Sequence, residues 1–138
     1  MNRNMLWLVL ILAFVLLLTA CGSDTDQKSI TADDVISAFV NAGLEVENPK
    51  IKTDHGSSLS YCEITTFQLP SQGGGEGGNN IYICNNQREV DNWAKYFDKL
   101  SEGGTKFSIW IFKKGDVMVQ LSGAVDEEIA RQYEQAIP

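Results

Sequence analysis

Residues 105–121 read TKFSIWIFKKGDVMVQL, and this stretch decides the fold. Residues 105–113 and 116–121 are rich in β-branched and aromatic side chains and flank Lys114-Gly115. A two-residue connection whose glycine can take φ > 0 is a β-hairpin signal. Pairing Lys113 with Asp116 places an ion pair beside the turn. Successive side chains of a strand point to opposite faces. One face therefore carries Trp110, Phe112, Val117, Val119 and Leu121, and the other Phe107, Ile109, Ile111 and Met118. An antiparallel sheet with helices on one side should be polar on the other. Four large apolar residues on the second face imply a covering segment or a partner surface. The expected cover is the segment 45–60. The alternative is that Phe107, Ile109, Ile111 and Met118 form a docking surface.

Upstream of the hairpin, Val90, Trp93, Phe97 and Leu100 are spaced 3, 4 and 3 apart. That is one apolar stripe of a helix, predicted over 87–102 and ended by Gly103-Gly104. Asp91 and Lys95 form an i,i+4 pair on its outer side. Trp93, Tyr96, Phe97, Trp110 and Phe112 are expected in the core. Residues 61–69 (YCEITTFQL) read as a strand stopped by Pro70, and 81–84 (IYIC) as a second. The glycine-rich SQGGGEGGNN between them, 71–80, is expected as a solvated loop. A register with paired positions summing to 146 sets Cys62 opposite Cys84, Ile64 opposite Tyr82 and Phe67 opposite Asn79. Opposed residues lie close enough for a cross-strand disulfide.

At the ends of the domain, Thr31 and Asp34 form a weak capping box for a first helix with Val35, Ile36, Phe39 and Val40 on one face. Gly43 stops that helix, and a loop follows from about Glu45 to Ser60. Asp126 caps a last helix bearing Ile129, Tyr133, Ala136 and Ile137. The order is α-β-β-α-β-β-α, which gives an α+β fold as a single small domain, its antiparallel sheet packed against helices mainly on one face.

The N-terminus has a different character. Residues 1–4 are polar, with Arg3 as the one charge, and 5–18 (MLWLVLILAFVLLL) are 14 uninterrupted apolar residues. A spanning helix needs about 20; the observed length is normal for the apolar region of a signal peptide. The run ends in Leu18-Thr19-Ala20-Cys21, which resembles the lipobox of bacterial lipoproteins. The resemblance implies cleavage after Ala20, a diacylglycerol thioether on Cys21 and further acylation such as palmitate in some bacteria. Two acyl chains hold a protein stably on a membrane. The expected organisation is a signal peptide over 1–20, a lipidated cysteine and tether over 21–29, and the α+β domain over 30–138, at the extracytoplasmic face of the cell membrane. The tether GSDTDQKS, 22–29, has no apolar residue to offset its ordering entropy. The spacing of Asp24 and Asp26 lacks the glycine and distal glutamate of a calcium loop.

The mature part holds all 18 acidic residues and, without Arg3, 10 basic ones, a net charge of −8. That argues against nucleic acid and against a polybasic membrane contact. With Cys21 lipidated, Cys62 and Cys84 remain, and outside the cytoplasm such a pair favours a disulfide. His55 is the one histidine, and no serine sits in a nucleophile elbow that it could serve. One histidine and paired cysteines do not make a zinc site, so no metal and no cofactor are expected. The glycines of 73–78 precede Asn79-Asn80 and a strand, where a phosphate loop would have Gly-Lys-Ser/Thr opening a helix.

Thr31-Ala32-Asp33-Asp34-Val35 running to Phe39 and Ala42-Gly43-Leu44, with the Lys114-Gly115-Asp116-Val117 hairpin and the Tyr133 helix, resembles small uncharacterised lipoproteins of Gram-positive bacilli. That resemblance carries no catalytic residue. The expected function is a membrane-anchored, monomeric, non-enzymatic module that binds an envelope protein or another envelope component. The alternative is a small-ligand-binding lipoprotein with its pocket between the sheet and the first helix.

Overall fold

The computed structural model describes residues 29–52, 62–72, 74–102 and 108–138. Residues 1–28, with the expected signal peptide and Cys21, and also His55 and Phe107 therefore lie outside the described residues. Helix α1 (Ala32–Asn41) begins with a complete capping box: the Thr31 hydroxyl accepts from the Asp34 N–H, and the Asp34 carboxylate accepts from the Thr31 N–H at 3.0 Å. Its other end is a Schellman motif, with Leu44 N–H donating to Phe39 O and Gly43 N–H to Val40 O. Gly43 takes φ +77°, where a side chain would be strained. Strands β1 (Glu47–Ile51), β2 (Cys62–Leu69) and β3 (Gly74–Cys84) follow, then helix α2 (Gln87–Glu102), strands β4 (Ile109–Lys114) and β5 (Val117–Ser122), and helix α3 (Glu127–Ala136) capped by Asp126.

The fold is α+β, and the expected order holds with one addition. Residues 47–51, expected inside a loop, form an edge strand of a five-stranded antiparallel sheet in the order β1-β2-β3-β5-β4. All five of its residues are exposed, so β1 lacks the buried alternation by which a strand announces itself.

The β2–β3 register is the expected one: Cys62↔Cys84, Ile64↔Tyr82 and Phe67↔Asn79. The glycine-rich segment departs from its expectation, for the ladder continues through it and the connection is a short turn at Pro70–Gln72. Asn79 holds the strand there. The Asn79 side chain donates to Phe67 O at 3.4 Å and accepts from Ser122 N–H at 3.0 Å. At Gly78 a Cβ would meet the Ser122 Cβ at 3.2 Å, so glycine suits the close approach of the neighbouring strand.

The β4–β5 turn is displaced by one residue from its expected place. Lys114 pairs with Val117, leaving Gly115-Asp116 as the central pair. Gly115 takes φ +60°, as the first central residue of a type II′ hairpin requires. The pairing slips by two positions, an even number, so both faces of the hairpin keep their residues. Lys113 is thereby opposite Met118, and its Nζ bonds the Asp91 carboxylate at 2.8 Å instead of Asp116. The Lys113 ammonium holds the Asp91 carboxyl below its usual range.

Helices α1 and α3 cover one face of the sheet. There Val35, Phe39, Phe67, Leu69, Ile81, Val117, Val119, Leu121 and Tyr133 form the main core. Helix α2 covers the other face, where Val90, Trp93 and Ala94 pack on Cys62, Ile64, Tyr82, Cys84 and Met118. Two helices lie on one face and one on the other, so each face carries a buried apolar cluster. Trp93 and Phe112 are in the core as expected, Phe97 and Trp110 are half-buried, and Tyr96 is 43% exposed.

The Tyr133 hydroxyl donates to Glu45 O at 2.6 Å. Burial, and next the nearby Glu45 charge, push this phenol up to about 12. Burial likewise raises Tyr82. A phenol whose folded value lies above its unfolded value near 10 contributes stability that is complete below about pH 10 and is lost above it. The urea midpoint should therefore fall between about pH 10 and 12. In Tyr133→Phe it should start lower at neutral pH, by about 1 kcal/mol for the lost hydrogen bond, and fall less steeply. An unchanged alkaline slope in Tyr133→Phe would show that this phenol is not the group responsible.

Candidate functional site

The second sheet face is the place to look, because its apolar residues called for an explanation. Position along the strands puts Ile109, Ile111, Lys113, Met118, Gln120 and Ser122 on this face, in line with Tyr82 and Asn80 of β3 and with Cys62, Ile64 and Thr66 of β2. Met118 is fully buried beneath α2 and Ile111 is half-buried against the same cluster. Met118 is thus not part of an open partner surface: α2 covers it, whereas 47–51 of the expected cover form the edge strand β1 and 53–60 lie outside the described residues. The reason is geometric: the Trp93 stripe needs an apolar bed, and a helix leaving β3 directly after Cys84 can fold back over this face. Ile109, nearer the sheet's end, remains half-buried. The expected surface of Phe107, Ile109, Ile111 and Met118 is therefore not assembled as one patch among the described residues.

Cys62 and Cys84 are joined, with Cα atoms 4.0 Å apart. Cys84 N–H donates to Asp116 O in the turn just before β5, so toward β2 the Cys62–Cys84 pair is one without ladder bonds. Such pairs bring side chains closest. The disulfide lies under the N-terminal half of α2, in the cluster with Val90 and Trp93. It fastens β2 to the strand that leads into that helix.

Next to this cluster is a buried polar group. Gln120 Oε1 accepts from Asn80 Nδ2 at 3.2 Å and from Tyr82 Oη at 2.9 Å. Buried polar atoms are costly unless paired, and these three side chains pair with one another. Trp93 Nε1 and Thr65 Oγ1 are buried without a partner. Among the described residues no group of three or more His, Cys, Asp or Glu side chains is placed to hold a metal ion. The room between the sheet and α1, where a ligand pocket was the alternative expectation, is filled by Phe39, Phe67 and Tyr133, whose ring centroids lie 5.0–6.5 Å apart.

Among the described residues a few large apolar side chains and the backbone of two sheet edges stand exposed beside a mostly charged and polar surface. On α2, Tyr96 stands 43% exposed and Leu100 36%. Tyr96, three residues after Trp93 and four before Leu100, flanks the 90–93–97–100 stripe, and its ring meets those of Trp93 and Phe97 edge-on at 5.9 and 5.5 Å. The two sheet edges differ. At β1 the edge carries Asn48 at φ +48°, Pro49 and Lys50, with a register shift between Glu47 and Lys50. A bulge, a residue without an N–H and a lysine are devices that blunt an edge against pairing. At β4 the pairing with β5 is regular and the edge sequence is Ile-Trp-Ile-Phe-Lys-Lys.

Comparison of the chain with protein-family models, with curated proteins and with solved structures finds no match.

Proposed function

We propose that this chain is a bacterial lipoprotein, held by lipid on Cys21 at the extracytoplasmic face of the cell membrane. Its α+β domain acts there by binding a protein or another envelope component and not by catalysis. The observation that carries this is the use of the three cysteines. Cys62 and Cys84 are joined inside the domain, which leaves Cys21, placed after Leu18-Thr19-Ala20 and 14 apolar residues. A disulfide suits an oxidising compartment. A cysteine at the end of a signal-like run suits an exported chain that keeps a lipid anchor. The expectation of a binding role is supported by a single histidine in the whole sequence and by the absence of a motif that would activate a nucleophile.

The test is metabolic labelling of the full chain in a bacterium with an alkyne-bearing fatty acid. The wild-type chain should carry the label and sediment with membranes. Cys21→Ser should carry none and should keep its signal peptide. An unlabelled wild-type chain would overturn the proposal.

A further inference from the structure

We propose that the step between helix α2 and strand β1 binds an anionic glycan of the envelope, a sugar polymer bearing phosphate or carboxylate groups. The inference rests on the envelope location proposed above and names the component bound.

The step is the part of the second sheet face that α2 leaves open. The helix packs over Cys62 and Ile64, while farther along β2 Thr66 and Gln68 are half-buried and all five residues of β1 are exposed. A helix with its side chains is about 10 Å across, so α2 is a wall beside a lower floor. Lys50 pairs with Thr66, and Lys52 N–H donates to Ile64 O. Opposed residues of a ladder put their side chains on one face, so both lysines project on the side of α2. The floor beside them is uncharged: Thr66, and Gln68, whose Oε1 accepts from Asn48 Nδ2 at 2.7 Å. The wall is sorted by charge. Asp91 bonds Lys113 of β4, so that side of α2 faces β4. At about 100° per residue, Asp98 and Glu102 fall on the same side. Arg88, Tyr96 and Lys99 fall across the apolar stripe from them, on the side toward β1.

The cations of the step are the ones left without partners. Elsewhere Lys113 bonds Asp91, Lys114 bonds Ile137 O, and Arg131 bonds Glu134 and Glu127. Lys95 lies near enough to Asp91 to help hold its carboxyl down. Acidic residues outnumber basic ones 18 to 11, so acid partners are plentiful. Yet among the described residues no ion pair engages Lys50, Lys52 or Lys99, and Arg88 meets Glu89 only at 4.0 Å. Glu47, opposite Gln68, is the other acid on this side of the described residues. Unpaired cations beside hydroxyl and amide groups suit a ligand that carries both negative charge and hydroxyls. Tyr96 adds to the wall an exposed apolar ring with a polar tip, which suits the face of a sugar. A planar membrane meets the crest of α2 first and leaves Lys50 and Lys52 below it, whereas a flexible polymer follows the step. A protein partner needs an apolar centre to its interface, and the floor of Thr66, Gln68 and Asn48 supplies none.

The experiment uses the full chain in phosphatidylcholine vesicles, titrated at low salt with a polysaccharide carrying one phosphodiester per repeat. Uncharged dextran, polyglutamate and separate phosphatidylglycerol vesicles are titrated alongside, and binding is read by co-sedimentation. The polysaccharide should bind, dextran should not, and added salt should weaken the binding steeply. Lys50→Gln on the floor and Lys99→Gln on the wall should each weaken it about fivefold. Lys113→Gln makes the same change of charge on the β4 side and should leave binding as it was. Equal weakening by Lys113→Gln would show that net charge alone is felt, and would overturn the site. Absence of polysaccharide binding would overturn it too. Polyglutamate bound as tightly would point to an acidic protein, and capture of phosphatidylglycerol vesicles with the same dependence on Lys50 and Lys99 to a membrane; either would overturn the glycan. Labelling of Cys21 is a separate readout. An unlabelled chain that still binds the polysaccharide would overturn the lipid anchor and leave the glycan site standing.

Discussion

Phe39→Ala is expected to lower the free energy of unfolding by about 3–5 kcal/mol, the usual cost of emptying a core aromatic site. Phe39 has no exposed surface. Its ring meets Tyr133 of α3 edge-on at 5.0 Å and Phe67 of β2 at 6.3 Å, so three elements close on one side chain. Helix α1 is 10 residues long, and a helix of that length is marginal in water without tertiary support. A small domain has a total stability of only about 5–15 kcal/mol, so the loss is a large part of it. Urea unfolding followed by tryptophan fluorescence measures the effect. The comparison is Val40→Ala on the same helix, where the side chain is 55% exposed and the change should stay within about 0.5 kcal/mol. Equal midpoints for the two variants would show that α1 is not part of the cooperative unit.

The second large effect is expected from Cys62→Ala combined with Cys84→Ala. The bond closes a loop with a sequence separation of 22, and chain-entropy reasoning assigns such a loop on the order of 3 kcal/mol. Both cysteines are buried under α2, and alanine retains the apolar character of the site. The loss should therefore follow the lost cross-link and not an introduced polar group. Wild type unfolded in a thiol reductant should move to the midpoint of the double variant. The double variant should be indifferent to the reductant. A wild-type midpoint unmoved by complete reduction, verified by thiol titration, would show that the bond adds nothing to the folded state.

Much of the fold was legible because its signals are local. Thr31 and Asp34 cap each other across three residues, Gly43 closes the same helix, and Asp126 opens the last one. The α2 boundaries follow from the 90–93–97–100 stripe and the glycines after it. The β2–β3 register could be read because two cysteines and two apolar alternations agree on it. The candidate surface was less legible. Alternation correctly divided the β4–β5 hairpin into two faces, but not what lies over the second face. Tyr96, three residues after Trp93 and four before Leu100, flanks the stripe, and spacing could not tell that it would stand 43% exposed at the rim of that cluster.

The sequence by itself determined which segments become helices, where they start and stop, and which residues of the expected strands share a face. These depend on capping, turn chemistry and periodicity within a few residues. Only the tertiary structure decided that α2 takes the face opposite α1 and α3. It also decided that 47–51 is recruited as an edge strand, that the ladder runs through the glycines of β3, and that β4 and not β5 stands at the rim. An amphipathic helix records that it needs an apolar bed and not which face supplies one. An exposed strand owes its existence to backbone bonds with β2, whose donors and acceptors are the same in every residue but proline. Strand order is likewise settled by competition among distant segments for those bonds, and no local pattern encodes the outcome.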